Sequence, residues 1–488
     1  MGLLRRCNDW LSHWEDSIPI GPIVYFRIVL GLAVLAWSIE VIAKGGVNLF
    51  YVDPVYHFKY HGFGWVAAWP GEAMHWHFYV LAAAALGMVL GFAYRVSALV
   101  VAAGFTHAFL VDKALYQNHY YLMCLLAWIA VVLPAHRALS VDCLLRPSLR
   151  SSTAPAWTLW LLRFQIAIPY VYGGIAKLEA DWLRGQPMRA SLAARTDVPI
   201  VGSFLDQEWF LWFIVYGGLL FDLLIVPALL WSRTRPVAFV LAAMFHLTNA
   251  SLFPIGVFPW LMALATVLFF PPEILQRLLR LRPRVEIPDP PPSSSGEGLG
   301  EGENRWRSSI LGALLLAYVG VQLVFPLRHL VYPGSANWTE QGHGFSWHMM
   351  LRGKRSGVRL YATDPKTGRT GTIDLRAYLS DHQTARFGRD PAMIHQLCQY
   401  IAKDLAQRGY PNVELRAFAL SSLNGRKPQL LIDPEVDLAA VDAPGIGCDW
   451  IMPLTEPLRD EAWDVPLEEW ERHVPIPDAI SKRIAANK

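Results

Sequence analysis

Apolar residues gather in long runs along the first two thirds of the chain, and polar residues are concentrated in the shorter stretches between them. A helix needs about 17–25 apolar residues to cross the hydrocarbon core of a bilayer. The runs therefore predict a polytopic α-helical membrane protein, and the short or proline-broken runs fit helices packed among neighbours. The nine predicted spans are Ile23–Ile42, Met74–Phe92, Val96–Val111, Tyr120–Leu133, Trp157–Ile175, Phe210–Trp231, Val237–Leu252, Ile255–Phe270 and Ile310–Phe325.

The last third of the chain has the pattern of an extramembrane α+β domain. Short runs rich in β-branched and aromatic residues are separated by turn residues, which is typical of hairpins. An aspartate followed by proline predicts a helix start, because Asp caps the first turn and Pro fits its first position. The predicted elements are strands Val358–Thr363 and Thr370–Asp374, a helix from Pro391 to about Gln407, and strands at about Val413–Leu420 and Gln429–Ile432 around Asn424-Gly425.

Basic residues between the runs predict which side of the membrane each loop faces, because cytoplasmic loops carry the excess of Lys and Arg. All basic clusters fall on one side only if residues 237–270 cross twice, and an eight-span alternative is disfavoured because it places the last cluster outside. Residues 1–325 are thus predicted as the membrane domain and residues 326–488 as an extracytoplasmic domain. The Pro/Ser/Gly/Glu-rich residues 282–307 predict a disordered inner linker. The clusters are Arg5 and Arg6; Arg95; Arg137, Arg146 and Arg150; Arg233 and Arg235; and Arg277, Arg280, Arg282 and Arg284.

The composition supports a division into two parts. The chain is 53% hydrophobic and 17% charged, whereas soluble proteins average about 25% charged residues. Of the 163 residues from Pro326 to Lys488, 40 are charged, against 43 of the first 325. A single soluble domain and a disordered protein are excluded. The net charge of +3 predicts no nucleic-acid partner, and neither the five cysteines nor the histidines have a spacing that predicts a metal site.

Ionisable side chains within the predicted spans are candidates for a functional site, because burying a charge in lipid costs several kcal/mol. His119, Lys177 and His246 all lie towards the outer leaflet in the predicted topology. His107 is interpreted as structural. Asp222 needs a partner, and we predict an ion pair with Arg163, which lies at a compatible depth.

Two interpretations of the lysine and the histidines stay open from the residues alone. Lys177 shares a helical face with Tyr170, and its side chain either reaches out to the headgroups or faces inward as a desolvated, neutral general base. His119 and His246 either take part in chemistry or bond a carbonyl of a neighbouring helix. His246 shares its face with Asn249, three residues further on.

Seven stretches point to one family. In chain order they are LGMVLGFAYRVSALV, FLVDKALYQNHYYL, GGIAKLEADW, GGLLFDL, FHLTNASLFPIGVF, HLVYPGSANW and GFSWHMM. With them the chain resembles the vitamin K-dependent gamma-glutamyl carboxylases and their bacterial relatives, the horizontally transferred transmembrane (HTTM) domain proteins. It departs from the animal members at Ala176, where they have a second lysine.

The resemblance implies roles for the matching residues. Lys177 matches the base that deprotonates vitamin K hydroquinone, and His119 and His246 match histidines of two family motifs, so these three are predicted to be catalytic. The predicted cofactor-binding residues are Tyr170, Asn249 and His329. The predicted peptide-binding residues are Asn337, Trp338 and Trp347.

The resemblance also implies an activity, in which oxygenation of reduced vitamin K to its epoxide drives carboxylation of glutamate side chains. The cofactors would be vitamin K hydroquinone, as reduced menaquinone or phylloquinone, with O2 and CO2, and the partner a glutamate-containing peptide or protein. The protein would cross a bacterial inner membrane or an ER membrane, with its C-terminal domain on the extracytoplasmic or lumenal side. The alternatives are a quinol epoxidase without protein carboxylation and a non-catalytic receptor or transporter for a lipid or peptide.

Overall fold

The structure is a computed structural model that describes residues 14–197, 202–253, 255–281, 300–459 and 461–474, with only the backbone at 300–308. Long apolar helices fill the first part of the chain and a four-stranded sheet lies in the last third. The longer helices are α1 (Gly21–Ala43), α2 (Glu72–Leu90), α3 (Tyr94–Val111), α4 (Asn118–Val132), α5 (Ala156–Ala176), α6 (Glu208–Leu230), α7 (Arg235–Leu252), α8 (Phe258–Ala265) and α9 (Gly300–Val324). Shorter helices lie at Val141–Leu145, Ala180–Leu183, Met188–Ala193, Pro272–Leu278, Ala336–Thr339 and Trp470–His473.

Each predicted span falls on a helix, which supports the prediction of a membrane protein. Within the described ranges, six helices are long and apolar enough to cross a bilayer, and a bent pair makes up to seven. That pair, Phe258–Phe269 and Pro272–Leu278, turns by 115°, because the intervening prolines remove backbone donors. α4 is apolar but shorter. The count of nine spans stays a prediction.

The predicted inner linker overlaps the start of α9. This helix begins at Gly300, so the final part of the stretch predicted to be disordered is helical. The preceding residues, 282–299, and the N-terminal cluster of Arg5 and Arg6 lie outside the described residues. The linker and the division of the chain near residue 325 stay predictions.

Two contacts fix the beginning of α1. The strand β1 (Ser17–Pro19) pairs antiparallel with β2 (Thr153–Pro155), just before α5. The first residue of α1, Gly21, donates its N–H to the Gln276 side chain at 2.8 Å. A Cβ on Gly21 would lie 2.5 Å from the Gln276 backbone nitrogen, so only glycine permits this approach. The N-terminal helix is therefore joined to segments far along the chain.

The first predicted span contains a charged residue, Arg27, that was not among the candidate site residues. It is almost fully buried. Its guanidinium donates to the carbonyls of Ala135 at 2.7 Å, Ala138 at 3.3 Å and Leu139 at 2.5 Å. Five guanidinium donors can satisfy several free carbonyls at once. Arg27 thus ties α1 to the connection that follows α4.

The C-terminal sheet has the predicted elements. The elements are β3 (Lys354–Thr363), β4 (Thr370–Thr372), β5 (Glu414–Leu423), β6 (Gln429–Leu430), α10 (Asp381–Phe387) and α11 (Pro391–Gln407). The strand order is β4-β3-β5-β6, all antiparallel, with β3 pairing to β5 from Lys354↔Leu423 to Thr363↔Glu414. The helix α11 packs against β5, and α10 packs against α11. Asp390 caps α11 by accepting from the Ala392 N–H at 2.9 Å. These strands and the helix confirm the predicted α+β pattern.

The sheet-containing region is attached to the helical body beside the end of α3. Asp112 is buried there and accepts from the Gln383 amide at 2.7 Å. Lys113 pairs with Asp390 at 2.5 Å. Because charge-assisted hydrogen bonds are strong and directional, they hold α10 and α11 against the end of α3.

Candidate functional site

The site is centred on a buried lysine and aspartate. Lys177 follows the last residue of α5, and its side chain is 7% exposed; Asp222 lies in α6 and its side chain is 4% exposed. Lys177 Nζ donates to Asp222 Oδ2. The Trp182 ring lies 5.1 Å from the same nitrogen, a distance at which an aromatic face attracts a cation. The structure therefore shows the inward-facing lysine, not the one that reaches out to the headgroups.

The predicted Arg163–Asp222 pair is wrong. Arg163 donates instead to the carbonyl of Leu268 at 2.8 Å and to that of Phe270 at 3.0 Å. Those carbonyls end the helical segment after α8 and lack partners within it, so the guanidinium satisfies them. Asp222 instead pairs with Lys177, which follows the other end of α5.

Two glycines bring α5 and α6 close enough for the pair to form. A Cβ on Gly174 would lie 2.8 Å from Leu223 Cδ2 and 3.1 Å from the Leu223 backbone nitrogen. A Cβ on Gly173 would lie 3.4 Å from Asp222 Oδ2. Small residues allow such close contact between membrane helices. Gly173 and Gly174 thus set the helix separation that Lys177 spans.

This packing predicts a stability effect. Gly174→Ala should destabilise the protein by about 1–3 kcal/mol, the usual cost of overpacking, and should lower the activity of the site. Gly217→Ala on α6 is the matched control, because a Cβ there meets nothing within 4 Å. Thermal unfolding of the purified protein in detergent measures both variants. Equal melting temperatures for the two would contradict the close packing.

A second polar pair lies on the same side of α5. Tyr170 Oη and His246 Nε2 are 2.5 Å apart, and both residues are buried. The Tyr170 ring also lies 6.0 Å from the ring of Phe221, the neighbour of Asp222. The structure therefore brings together two predicted residues, Tyr170 and His246, and places them beside the aspartate.

A strained loop, residues 345–350, crosses the end of α5. Phe345, Trp347 and Met350 have φ of 62°, 59° and 61°, a region that costs non-glycine residues free energy and that clusters at functional sites. A Cβ on Gly173 would lie 2.7 Å from Met349 Cε. The Asn118 amide donates to the His348 carbonyl at 3.1 Å. The loop thus lies between α4 and α5, beside the Asp222 carboxylate.

The other predicted cofactor and catalytic residues make contacts of their own, and none of the described contacts joins them to Lys177 or Asp222. His119 is buried and its ring stacks on Phe258 with centroids 5.3 Å apart. Asn249 is half-buried one turn beyond His246. His329 bonds the Pro326 carbonyl at 2.9 Å, and its ring lies 4.6 Å from that of His348. Their assigned roles stay predictions.

An aromatic cavity of about 90 Å³ lies near His119. Tyr120, whose ring centroid is 4.5 Å from that of His119, forms part of its wall. Side chains from the membrane helices and from α10 enclose it, among them Trp37, Tyr51, Phe105, His382 and Arg386. Aromatic walls of this kind suit planar or unsaturated apolar groups.

The predicted peptide-binding residues are all buried. Trp338 lies in the core of the sheet region, where its indole donates to the Met452 carbonyl at 2.7 Å. The Trp347 ring lies 5.0 Å from Tyr121, and its Nε1 has no hydrogen-bond partner in the described structure. The Asn337 amide donates to Glu179 at 2.7 Å.

Asp222 was singled out from the sequence but assigned the wrong partner. Two further residues beside the site were not predicted: Glu179 was not considered, and Met349 lay in a matching stretch without a role. Helical spacing predicts Asp181 on the same face as Lys177, but α5 ends at Ala176 and Asp181 lies in the next short helix, Ala180–Leu183. No periodicity relates residues on different helices. The GFSWHMM stretch was the one available signal for Met349.

Electrostatics link the site to the sheet region through Asp181. Arg426 donates to both of its carboxylate oxygens, at 2.6 and 2.7 Å, and Asn424 donates at 2.8 Å. Burial alone would raise the pKa of Asp181, but these hydrogen bonds and the Arg426 charge hold it below its ordinary value. Asp181 is therefore a carboxylate that holds the end of α5 against the turn after β5.

The fold and the site define a helical membrane protein with a sheet-containing C-terminal region. The family model for the HTTM domain matches residues 16–273, which is more than half of the chain. The model for the vitamin K-dependent gamma-carboxylase lumenal domain matches residues 307–457. The chain therefore belongs to the vitamin K-dependent gamma-carboxylase family, which confirms the resemblance and supports a carboxylase-like function. No solved structure matches the chain.

Proposed function

We propose that the chain is a vitamin K-dependent gamma-glutamyl carboxylase, which couples oxygenation of reduced vitamin K to its epoxide with carboxylation of glutamate in a peptide or protein. The observation that carries the proposal is the buried Lys177–Asp222 pair. In its neutral form the desolvated amine of Lys177 can accept the phenolic proton of a quinol, and the Asp222 carboxylate beside it stabilises the positive charge that the amine then carries.

The surroundings fit a quinol. The Trp347 indole N–H, buried without a partner in the described residues, is a free donor for a ring oxygen. Aromatic rings beside His119 and Tyr170 suit a planar ring system. In this proposal Lys177 takes the proton, Asp222 balances its charge, and Trp347 orients the ring, while Tyr170, His119, His246, Asn249 and His329 line the site.

When bound, the reduced quinone supplies through its oxygenation a base strong enough to remove a glutamate γ-proton, which no protein side chain can do. The protein must then exclude bulk water, because water would protonate such a base. The low exposure of Lys177 and Asp222 supports this. O2 and CO2 are the small co-substrates in this scheme.

The proposal includes an arrangement in the membrane. Residues 1–325 form nine spans and residues 326–488 face the extracytoplasmic or lumenal side, so that the quinol enters from the bilayer and the peptide from the outer solution. Asn337, Trp338 and Trp347 are buried; in this proposal they form the floor of the peptide site.

Two measurements on the purified full chain test the function. The protein in nanodiscs receives reduced vitamin K, O2, labelled CO2 and a glutamate-containing peptide, and both epoxide and label in the peptide are followed. Both products are expected. Epoxide without label would identify a quinol epoxidase, and neither product would favour a non-catalytic receptor or transporter.

A further inference from the structure

The α5 corner, residues Lys177–Trp182, is fastened to the sheet region by two acidic side chains. Asp181 binds Arg426 and Asn424, as described above. Glu179 accepts the Asn337 amide N–H at its Oε2, 2.7 Å away. The corner that carries Lys177 is therefore held from the extramembrane side by residues more than 150 positions away in sequence.

Beyond the hydrogen bond from the Asn337 amide, the second half of the Glu179–Asn337 contact lacks a proton donor. Glu179 Oε1 and Asn337 Oδ1 are both buried, and neither has a hydrogen-bond partner among the residues that the structure describes. Two buried acceptors without a donor are costly, since each loses its water without replacement. A proton on Glu179 would supply the missing donor, because a carboxylic acid donates through its O–H. Acid and amide could then exchange two hydrogen bonds.

The charges around Glu179 favour the neutral acid. Burial, followed by the nearby negative charge of Asp181, raises the pKa of Glu179 from 4.5 to about 7. The positive charge of Arg426 and the hydrogen bond from Asn337 act in the opposite direction but are smaller. Arg426 is already engaged by both oxygens of Asp181, and Lys177 is engaged by Asp222. Neither of these two cations is therefore free to pair with Glu179.

We propose that Glu179 is a positioning residue for Lys177: as a neutral acid it forms a closed hydrogen-bonded pair with Asn337 that fixes the α5 corner, and loss of its proton opens that pair. The inference rests on the proposed function for its effect on activity, but not for the protonation state itself. When Glu179 is ionised, its carboxylate lies beside that of Asp181. The repulsion between the two negative charges then loosens the α5 corner. Lys177 then loses its alignment towards Asp222 and the quinol.

The direction of the pH effect follows from the raised pKa. The folded chain binds this proton more tightly than the unfolded chain, so the stability from the pair is fully present below about pH 4.5 and is lost as the pH rises through about 7. Glu179→Gln keeps a donor and an acceptor towards Asn337 but cannot ionise. It therefore holds the corner closed at every pH.

The first test compares epoxidation rates of the full-length wild type and Glu179→Gln across pH. One pH unit above its pKa only about a tenth of an acid remains protonated, so the wild-type rate relative to that of Glu179→Gln should fall by up to about tenfold there. Any pH effect that does not involve Glu179 acts on both proteins and cancels in the ratio. Glu72→Gln is the control, because Glu72 is an acid with an 87% exposed side chain at the start of α2. A constant ratio would overturn the proposal.

The second test needs no turnover. Infrared difference spectra between wild type and Glu179→Gln should show the C=O band of a protonated carboxylic acid below about pH 7, lost at higher pH. Absence of that band at every pH would overturn the assignment, even where Lys177-dependent epoxidation is normal. A titrating band in a protein that makes no epoxide would instead leave the protonated pair intact and refute the proposed function.

Discussion

Replacing Lys177 with alanine is expected to abolish epoxide formation in membranes supplied with reduced vitamin K, O2 and CO2. A positioned general base contributes about 10²–10⁴-fold to a rate, and the buried amine of Lys177 is the proposed base. Chromatographic quantification of the epoxide over time gives the rate. An alanine variant that makes epoxide at the wild-type rate would show that the base lies elsewhere.

Lys177→Arg separates the chemical role from a structural one. Arginine keeps the positive charge beside Asp222, but its guanidinium stays protonated and cannot act as a base. We expect a folded protein with no epoxidation. Lys44→Ala is the matched control, since the Lys44 side chain is 72% exposed and pairs with Glu40, in the last turn of the preceding helix α1. Full activity in Lys177→Arg would rule out proton removal by this residue.

Replacing Asp222 with asparagine should have the largest effect on stability. It leaves the lysine buried without a counter-charge, and breaking a buried pair in this way costs about 3–5 kcal/mol. Epoxidation should also fall sharply, because the charge that Lys177 gains is no longer balanced. Thermal unfolding in detergent and the epoxide assay measure the two effects.

A double variant tests the same idea from the other side. Lys177→Met combined with Asp222→Leu removes both charges and should recover most of the lost stability without recovering activity. Asp206→Asn, at an exposed aspartate just before α6, is the control and should behave like the wild type. If Asp222→Asn melts at the wild-type temperature, the pair does not stabilise the fold as described.

The sequence predicted those features that depend on local pattern. Hydropathy located the helices, because a long apolar run has few alternatives to a span. Asn424-Gly425 marked its turn, with φ of 52° and 76° at the two residues, because such values favour Asn and Gly. The predicted topology placed Lys177 towards one face of the membrane, but only the structure showed that its side chain faces inward.

Partners on different helices could not be predicted in the same way. Depth alone offered Arg163 for Asp222, yet depth does not say which helix faces which. The actual choice depends on Gly173 and Gly174, which bring α5 against α6, and on carbonyls that occupy Arg163. The contact between Glu179 and Asn337 joins residues 158 positions apart, so no local signal could reveal it.

The pairing of β1 with β2 and the contact of Gly21 with Gln276 constrain how the chain is assembled during synthesis. The start of α1 is synthesised before its partners on β2 and at Gln276, which follow more than 130 and 250 residues later. α1 can therefore make all of these contacts only after α2 to α8 have been synthesised. Closing the bundle at its N-terminal end is thus a late step in biogenesis, and a chain truncated before Gln276 would leave α1 without its final contact.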